Sequence, residues 1–264
     1  MTLRTFFLLA AAFQLSVSCS IKELRGECPC RLTVDLSDAS ENYADVLVSA
    51  YDGTAAVHCC ETISSSHEKL FINLPKSRIR LLCMQGASAG RTDGRNVFIP
   101  EGSEADSLMI SADSVDCTGE TAFSKAVFHK NWARVSVSYV NPDSTSYPYW
   151  IAISGKINGM NLDTMTPSEG IFRCNARHSP EKQMFVADLP RQRPDGEGLV
   201  MKLVRNDDQS TAKEYNLSGI ISSSGYDWKA IDLNDIRLGI DYAGAIAYIS
   251  VTDWETGMEI SMTI

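Results

Sequence analysis

The chain has no apolar run long enough to cross a membrane. Its most apolar segment, residues 6–13, is eight residues long, whereas a transmembrane helix needs about 20. One basic residue, Arg4, precedes this segment, and three small residues, 16–18, follow it. A charged start, a short apolar middle and small residues before a cleavage site are typical of a secretory signal. We therefore expect residues 1–18 to be removed as a signal peptide.

Positive charge is also scarce. The chain holds 24 Lys and Arg residues against 33 Asp and Glu residues, which gives a formal net charge of −9. Removal of Arg4 with the signal leaves 23 against 33, or −10. An acidic surface repels phosphate backbones, so the composition argues against nucleic acid as a partner. With 44% hydrophobic and 22% charged residues, the composition is typical of a folded globular protein.

Catalytic and cofactor motifs are nearly absent. The sequence contains neither the H-E-x-x-H pattern of zinc peptidases nor the G-x-x-x-x-G-K-[ST] phosphate loop. One hydrolase pattern occurs, G-x-S-x-G at residues 86–90, with Ser88 as the candidate nucleophile. That elbow requires a helix after the serine, and residues 91–96 contain a glycine and no apolar stripe. We therefore expect no enzyme activity, no catalytic residue and no cofactor.

The cysteines predict core thiols rather than a metal site. Seven remain if Cys19 is modified, and an odd set cannot pair completely within one chain. These seven are Cys28, Cys30, Cys59, Cys60, Cys83, Cys117 and Cys174. Neither Cys28-Pro29-Cys30 nor His58-Cys59-Cys60 has the two-residue gap usual between zinc-ligating cysteines. Cys28 and Cys30 instead continue an apolar strand face that runs to Leu36, and buried cysteine behaves as a small hydrophobe. Their disulfide pairing stays open.

The dominant pattern along the chain is an alternation of apolar and polar residues. It covers residues 32–36, 46–51, 78–83, 134–140 and 237–242. Alternation with a period of two predicts half-buried β-strands, with apolar side chains on one face. Many short strands separated by turn-forming residues predict β-sandwiches rather than a parallel sheet. Helix is expected only as a short turn within residues 107–115 and within residues 217–222.

The two halves of the chain differ in composition. The four tryptophans, at positions 132, 150, 228 and 254, lie in the second half, and seven of the eight cysteines lie in the first. Two separate cores explain this asymmetry better than one shared core. We place the junction within residues 126–131. The sequence thus predicts an N-terminal β-sandwich domain over residues 19–127 and a C-terminal one over residues 128–264.

Cys19 directly follows the small residues of the signal. Residues 6–19 therefore resemble a bacterial lipoprotein signal, in which the cysteine thiol is acylated and the cysteine becomes the mature N-terminus. Ser16 stands where such signals usually carry leucine, so an ordinary cleaved signal followed by an unmodified cysteine stays an alternative. One acyl chain binds a membrane only marginally, so several chains on Cys19 would be needed to hold the protein firmly.

The order of short motifs along the mature chain carries a family resemblance. The motifs are CSIKE at 19–23, CPCRLTVDL at 28–36, WARVSV at 132–137, YDW at 226–228, DLNDI at 232–236, IDY at 240–242 and VTDW at 251–254. This order resembles the minor fimbrial subunit family of Bacteroidetes-type (type V) pili. That family contains the pilus-anchoring lipoproteins of the fimbrillin superfamily.

The resemblance implies a fold, a location and partners. The fold is all-β, with two tandem transthyretin-like β-sandwich domains after a lipoprotein signal peptide. The location is the outer membrane, with exposure at the cell surface: Ser20 resembles an outer-membrane sorting residue, and Lys22 and Glu23 resemble a surface-export tract. Family members join by strand donation, in which an open sheet edge receives a strand of the next protein. The expected partners are fimbrial subunit proteins, and the outer membrane through the lipid on Cys19.

Processing and the C-terminus bear on the position within a fimbria. Similar stalk subunits are cleaved in the first domain, whereas Arg91 and Arg95 are the basic candidates here and lie in a loop. Residues 258–264 alternate and offer a short donor strand. Absence of processing favours a non-enzymatic anchor or accessory subunit that attaches a fimbria to the outer membrane. The alternative is a surface glycan-binding lipoprotein, for which Tyr149 and Trp150 form the candidate aromatic platform.

Overall fold

The computed structural model describes residues 28–54, 56–66, 68–139, 148–194, 198–240, 246–253 and 256–263. Strands dominate these residues, so the all-β prediction is confirmed. The strands are β1 Cys30–Asp35, β2 Asp45–Asp52, β3 Val57–Ser64, β4 Lys69–Leu74, β5 Arg78–Gln85, β6 Asn96–Phe98, β7 Met109–Asp116, β8 Thr121–Lys125, β9 His129–Lys130, β10 Trp132–Tyr139, β11 Tyr149–Asn161, β12 Thr166–Asn175, β13 Arg177–Ser179, β14 Met184–Pro190, β15 Val200–Arg205, β16 Thr211–Asn216, β17 Asp235–Ile240, β18 Ile246–Thr252 and β19 Glu259–Thr263. A 3-10 turn covers Pro180–Lys182, and helix α1 covers Leu217–Ser223.

The first half of the chain forms two facing sheets. A three-stranded sheet has the order β4-β1-β8, in which β1 is antiparallel to β4 and parallel to β8. A five-stranded sheet has the order β3-β2-β5-β7-β9. Alternate side chains of β1, such as Leu32 and Val34, are buried between the sheets, as the alternation predicts. This first core also contains four thiols: Cys30, Cys59, Cys83 and Cys117.

The second half forms a larger pair of sheets. One has the order β13-β14-β10-β17-β18-β19, and the other has the order β12-β11-β15-β16, with β6 also paired to β11. The second core between them is aromatic and includes Phe172, Phe185 and Trp228. Helix α1 begins after Asn216, whose side chain accepts a hydrogen bond of 3.1 Å from the backbone N–H of Gly219. The predicted helical turn within residues 217–222 is confirmed.

A third apolar core lies where the two halves meet. Leu82, Met84 and Ile110 of the first half pack there with Met160 and Leu162 of the second. As a result, β2 is buried continuously over residues 48–51, and β5 over residues 81–85. The alternation in these strands predicts only one buried face. The structure differs because the second half covers the face of the five-stranded sheet that solvent would otherwise wet.

The helical turn expected within residues 107–115 is wrong. This stretch contributes most of β7, which pairs with β5 along its whole length, from Arg78↔Asp116 to Gln85↔Met109. Ile110 faces the third core, whereas Val115 faces the first core. Because β7 has apolar residues on both faces, its sequence lacks the alternation typical of a strand. Its strand conformation depends instead on pairing with β5.

The two halves interleave around the predicted junction. β9, just after residue 127, pairs with β7 of the first half. In the opposite direction, β6 pairs with β11 of the second half, and Ile99 and Ala105 lie in the second core. The β-sandwich prediction is confirmed, and the division into domains at residues 127 and 128 stays a prediction.

Candidate functional site: strand edges and the junction

The C-terminal strand β19 forms one edge of the six-stranded sheet. It pairs antiparallel with β18 without a register shift, from Tyr248↔Thr263 to Thr252↔Glu259. The segment that the sequence offered as a donor strand therefore folds into the protein's own sheet. In the order of the described strands, nothing lies on the outer side of β19, and an open edge presents unpaired backbone N–H and C=O groups. Backbone pairing with a strand of another chain is chemically available there.

β3 forms an edge of the five-stranded sheet. It pairs with β2, and the register shifts between Ala50 and Tyr51. Its side chains are mostly exposed, including Val57. An irregularity of this kind twists an edge strand and makes it a poorer template for pairing. β19 is therefore the more regular candidate edge.

β1, the first described strand after Cys19, is fixed in the middle of its sheet. Residues 30–35 all pair with β4, and residues 31–35 pair with β8 on the other side. Cys30, Leu32, Val34 and Leu36 are each at most 1% exposed. The three-stranded sheet therefore keeps its own central strand and presents no open groove at that position.

The two basic residues considered as cleavage sites are engaged with neighbouring groups. Arg91 Nη1 donates hydrogen bonds of 2.9 Å to the backbone oxygen of Glu104 and to Asp106 Oδ1. Arg95 Nε donates to Asp163 Oδ2 over 3.1 Å. These bonds tie the loop before β6 to residues further along the chain. They would have to break before a protease could draw either arginine into its active site.

Ser88 is not placed as a nucleophile. Its hydroxyl donates to Asp106 Oδ1 over 2.7 Å, and its backbone N–H donates to Asp106 Oδ2 over 2.9 Å. An elbow needs a helix after the serine and a base that removes its proton. A turn and then β6 follow Ser88. The Asp106 carboxylate, which accepts the hydrogen bond from the Ser88 hydroxyl, also forms an ion pair with Arg91. The G-x-S-x-G match is therefore a structural loop.

Lys130 forms the main polar contact at the junction. Its side chain is 4% exposed, and its Nζ donates to the backbone oxygen of Leu233 over 3.0 Å and to Asp235 Oδ1 over 2.5 Å. Burial lowers the pKa of Lys130, and the hydrogen bond that Lys130 donates to Asp235 opposes part of that shift. Asp232 accepts from the Lys130 backbone N–H over 2.6 Å. No local pattern in the sequence identifies this network, because its partners lie about a hundred residues apart.

The cysteines divide into buried and exposed thiols. All seven that the structure describes are free; Cys30, Cys59, Cys83, Cys117 and Cys174 are buried, as predicted for core thiols. Cys28 and Cys60 are exposed, so the prediction is wrong for these two. Cys28 precedes the first pair of β1, and Cys60 lies on the outward side of edge strand β3, so neither faces a core. In the described residues, no group of three His, Cys, Asp or Glu side chains could hold a metal ion.

The exposed aromatic residues are not the ones that the sequence singled out. Tyr149 packs against the second core, and Trp150 Nε1 donates to Gln209 Oε1 over 3.2 Å. Phe71 and Phe123 are 55% and 62% exposed instead, and Phe98 of β6 is 50% exposed. Phe71 and Phe123 occupy positions that are otherwise polar in their alternating strands. Phe71 lies between Lys69 and Asn73, and Phe123 lies between Thr121 and Lys125. The polar residues two positions away on either side were the sequence signal that could have identified Phe71 and Phe123 as exposed.

Cys19 and the signal at residues 1–18 lie outside the described residues, so lipidation of Cys19 stays a prediction. Within the described stretches from residue 28 to residue 263, no helix has the length and apolar character that a bilayer crossing requires.

Similarity to known proteins exists at the level of structure. No protein-family model and no curated protein sequence matches this chain. A candidate polysaccharide-binding protein from Bacteroides thetaiotaomicron has a TM-score of 0.64 at 11% identity, covering 89% of this chain and 98% of that one. A candidate adhesin from Bacteroides ovatus gives 0.58 at 10% identity, with 92% and 97% covered. The fimbrial anchor protein Mfa2 from Porphyromonas gingivalis gives 0.55 at 14% identity, with 88% and 99% covered.

Identities this low demonstrate a shared fold, because one fold can carry several functions. Each match covers nearly all of both chains, so the likeness includes both pairs of sheets and the junction between them. None of the three proteins is described as an enzyme. The chain therefore shares its fold with these three proteins, among them a fimbrial anchor protein and a candidate adhesin.

Proposed function

We propose that this protein is a lipid-anchored anchor or accessory subunit that attaches a fimbria to the outer membrane by strand contacts with fimbrial subunits. The fold shared with the fimbrial anchor protein Mfa2 supports this role. Cys19 carries the acyl chains, and the protein faces the cell surface at the base of the fimbria.

The closed position of β1 is the observation that carries the anchor role. A subunit inside a polymer needs two contacts, whereas a subunit at the base needs one, because the membrane takes the place of the other. Here β1, the first described strand after Cys19 in the sequence, keeps its place between β4 and β8. Among the edge strands, β19 pairs with its neighbour without a register shift and lies far from Cys19 in the sequence. A first sheet that keeps its own central strand, together with a regular edge at β19, fits a protein with a tether on one side and a partner on the other.

Replacement of Cys19 by alanine tests the tether. We expect Cys19→Ala to move the protein from the membrane fraction to the soluble fraction, because the acylated thiol is lost. Cys28→Ala is the matched control: Cys28 is an exposed cysteine nine positions away and is expected to leave the protein in membranes. Intact mass spectrometry of the membrane-extracted protein should show acyl chains on residue 19. Retention of the Cys19→Ala variant, or an unmodified mature N-terminus, would contradict the proposal.

Two proline variants test the strand contact at β19. Neighbouring N–H groups of an edge strand point alternately towards its partner and towards the open side. Of Ile260→Pro and Ser261→Pro, one therefore breaks pairing with β18, and the other removes an N–H group from the open edge. We expect the variant that keeps the wild-type melting temperature to lose co-purification with fimbrial polymer. Normal co-purification of that variant would exclude the edge of β19 as the contact.

Glycan binding is the second candidate function. It is favoured by the likeness to the candidate polysaccharide-binding protein of Bacteroides thetaiotaomicron. The Tyr149–Trp150 pair is not an exposed platform, so binding would need another surface. A panel of surface glycans, with fimbrial polymer as the competing ligand, separates the two functions: only the anchor retains the polymer.

A further inference from the structure

One face of the three-stranded sheet carries two phenylalanines that lie in line. Thr33 of β1 pairs with Phe71 of β4 on one side and with Phe123 of β8 on the other. Adjacent strands are about 4.8 Å apart, so the Cβ atoms of the two phenylalanines are roughly 10 Å apart. Isolated exposed apolar residues are ordinary, whereas two aligned rings on one sheet face form a surface patch. We call this surface the Phe71–Phe123 face.

The Phe71–Phe123 face is positively charged. Arg31, Lys69 and Lys125 lie exposed on the same side of the sheet, and the Arg31 guanidinium is 4.8 Å from the centre of the Phe71 ring. One acidic residue, Asp35, stands opposite Lys69 and Lys125 in the strand register. Three positive charges against one negative charge give +2, on a chain whose net charge is −9. The face therefore has the opposite sign to the protein as a whole.

We infer that the Phe71–Phe123 face lies against a lipid surface that bears phosphate groups. Aromatic rings enter the boundary between head groups and acyl chains, and neighbouring lysine and arginine side chains attract anionic head groups. The face of a short three-stranded sheet can lie along a membrane, and two phenylalanines about 10 Å apart can enter it together. This inference rests on the proposed lipidation of Cys19.

The position of β1 favours lipid over a protein or a glycan as the occupant. Ten residues separate Cys19 from Cys30, the first residue of β1. Even when fully extended, a chain of this length spans at most about 40 Å. The tether therefore keeps the sheet whose central strand is β1 close to the bilayer, where a short linker gives a high effective concentration. Phosphate groups also match the excess of positive charge on this face.

Chemical labelling of lysine amines tests the contact in the tethered protein. The acylated protein is reconstituted into vesicles of 70% phosphatidylcholine and 30% phosphatidylglycerol, and the Cys19→Ala protein free in solution is the reference. We expect Lys69 and Lys125 to react several-fold more slowly on vesicles than in solution. Lys213 and Lys229, which are exposed in the second half, are the internal controls and should react equally in both states.

Charge reversal tests the face without the lipid. Each basic residue near an anionic surface changes the partition coefficient about fivefold, so Lys69→Glu/Lys125→Glu in the Cys19→Ala protein should lower binding to these vesicles at least about 25-fold. The double variant Lys213→Glu/Lys229→Glu makes the same change in net charge elsewhere and should lower binding much less. Phe71→Ser/Phe123→Ser should also lower it, whereas Ile171→Ser, at an exposed residue of β12, should not.

Three results would overturn the inference. The first is equal labelling of Lys69 and Lys125 on vesicles and in solution while the protein stays tethered. The second is an equal loss of binding in the two charge-reversal variants, which would assign the effect to net charge alone. The third is unchanged vesicle binding of the phenylalanine variant together with lost binding to a glycan panel or to fimbrial polymer. An unacylated Cys19 would instead overturn the proposed tether, and the partition experiment would still report on the face.

Discussion

Each half of the protein packs two sheets face to face, but the cores between the sheets differ in size and composition. The second core is large and aromatic, and it encloses Phe172, Phe185 and Trp228 between two broad sheets. The first core is smaller and is built mainly from aliphatic side chains and four thiols, with Phe128 as its aromatic member, between a three-stranded and a five-stranded sheet. The first half also depends on the second, because the third core covers the outer face of its five-stranded sheet.

The two halves offer different surfaces for the proposed membrane contact and the proposed strand contact. The three-stranded sheet of the first half needs only one covered face, so its outer side is available for the phenylalanines and lysines. The six-stranded sheet of the second half ends in β19, whose open edge is available for another strand. Tryptophan fluorescence and cysteine labelling can follow the unfolding of the two halves separately. The described tryptophans report on the second half, and the buried cysteines of the first core report on the first.

Truncation of Phe172 is expected to have the largest effect on stability. Phe172 is fully buried in the second core, so Phe172→Ala should lower the free energy of unfolding by about 3–5 kcal/mol. Its neighbour Ile171 is 58% exposed, so Ile171→Ala, as the matched control, should change it by less than about 0.5 kcal/mol. Denaturant unfolding followed by tryptophan fluorescence measures both. If Leu32→Ala in the first core costs more than Phe172→Ala, the ranking of the two cores is wrong.

Truncation of Leu162 should separate the two halves. Leu162 is 1% exposed in the third core, so Leu162→Ala should cost about 2–4 kcal/mol. Because the third core covers the first half, thiol labelling of Cys83 and Cys117 should begin at a lower denaturant concentration than the change in tryptophan fluorescence. The wild-type protein should show coincident transitions. Coincident transitions in the variant would mean that the first half does not depend on this cover.

Loss of the Asp235 carboxylate should have a smaller effect. Asp235→Asn leaves the buried Lys130 ammonium without its ionic partner, which should cost about 1–3 kcal/mol at neutral pH. Arg134 also donates its backbone N–H to Asp235 over 3.0 Å, a bond that asparagine can retain through its carbonyl oxygen. Denaturant unfolding at fixed pH measures the change, and an unchanged free energy of unfolding would show that the ion pair contributes nothing.

The same lysine predicts a dependence on alkaline pH. Because burial lowers the pKa of Lys130, the unfolded chain binds this proton more tightly than the folded one. Stability therefore rises with pH from the folded-state pKa towards the unfolded value of about 10.4. Lys130→Met removes this contribution, so the difference in stability between wild type and variant should drift in favour of wild type over that range. A flat difference would contradict the shift.

The thiols should show the smallest effects on stability and a clear difference in reactivity. Cys60 is exposed, so Cys60→Ser should change the free energy of unfolding by less than about 0.5 kcal/mol. Burial raises the pKa of Cys83 and of Cys117 to about 12. Both thiols stay protonated in the folded protein when the unfolded chain ionises above about 8.5, so stability falls as pH rises from there. Iodoacetamide at neutral pH should label Cys28 and Cys60 first; rapid labelling of Cys83 or Cys117 would contradict their burial.

Much of the fold could be predicted from alternation, and the exceptions have one cause. Leu32 and Val34 are buried as their phase predicts, because solvent reaches the other side of their sheet. The pattern misled in β5 and β7, where apolar residues on both strand faces serve two different cores. The exchange of β6 and β9 between the halves was also invisible, since it depends on contacts between distant parts of the chain.

Some features of the candidate sites could likewise be predicted from the sequence, and others could not. Sequence reasoning identified the strand character of residues 258–264 and questioned Ser88 as a nucleophile for want of a following helix. It chose Tyr149 and Trp150 as the exposed aromatics, whereas the structure exposes Phe71 and Phe123. The choice failed because exposure depends on which side of a strand another sheet covers, and the composition of a segment does not contain that information.

By itself, the sequence determined the all-β class, the burial of alternate residues and the excess of negative charge, because these depend on local spacing and on sums over residues. The tertiary structure decided which sheet faces are covered, where Lys130 finds Asp235, and which strand edges stay open. Those outcomes need residues that are distant in the chain to meet, and the energy gained by their packing outweighs the local preference of any one segment.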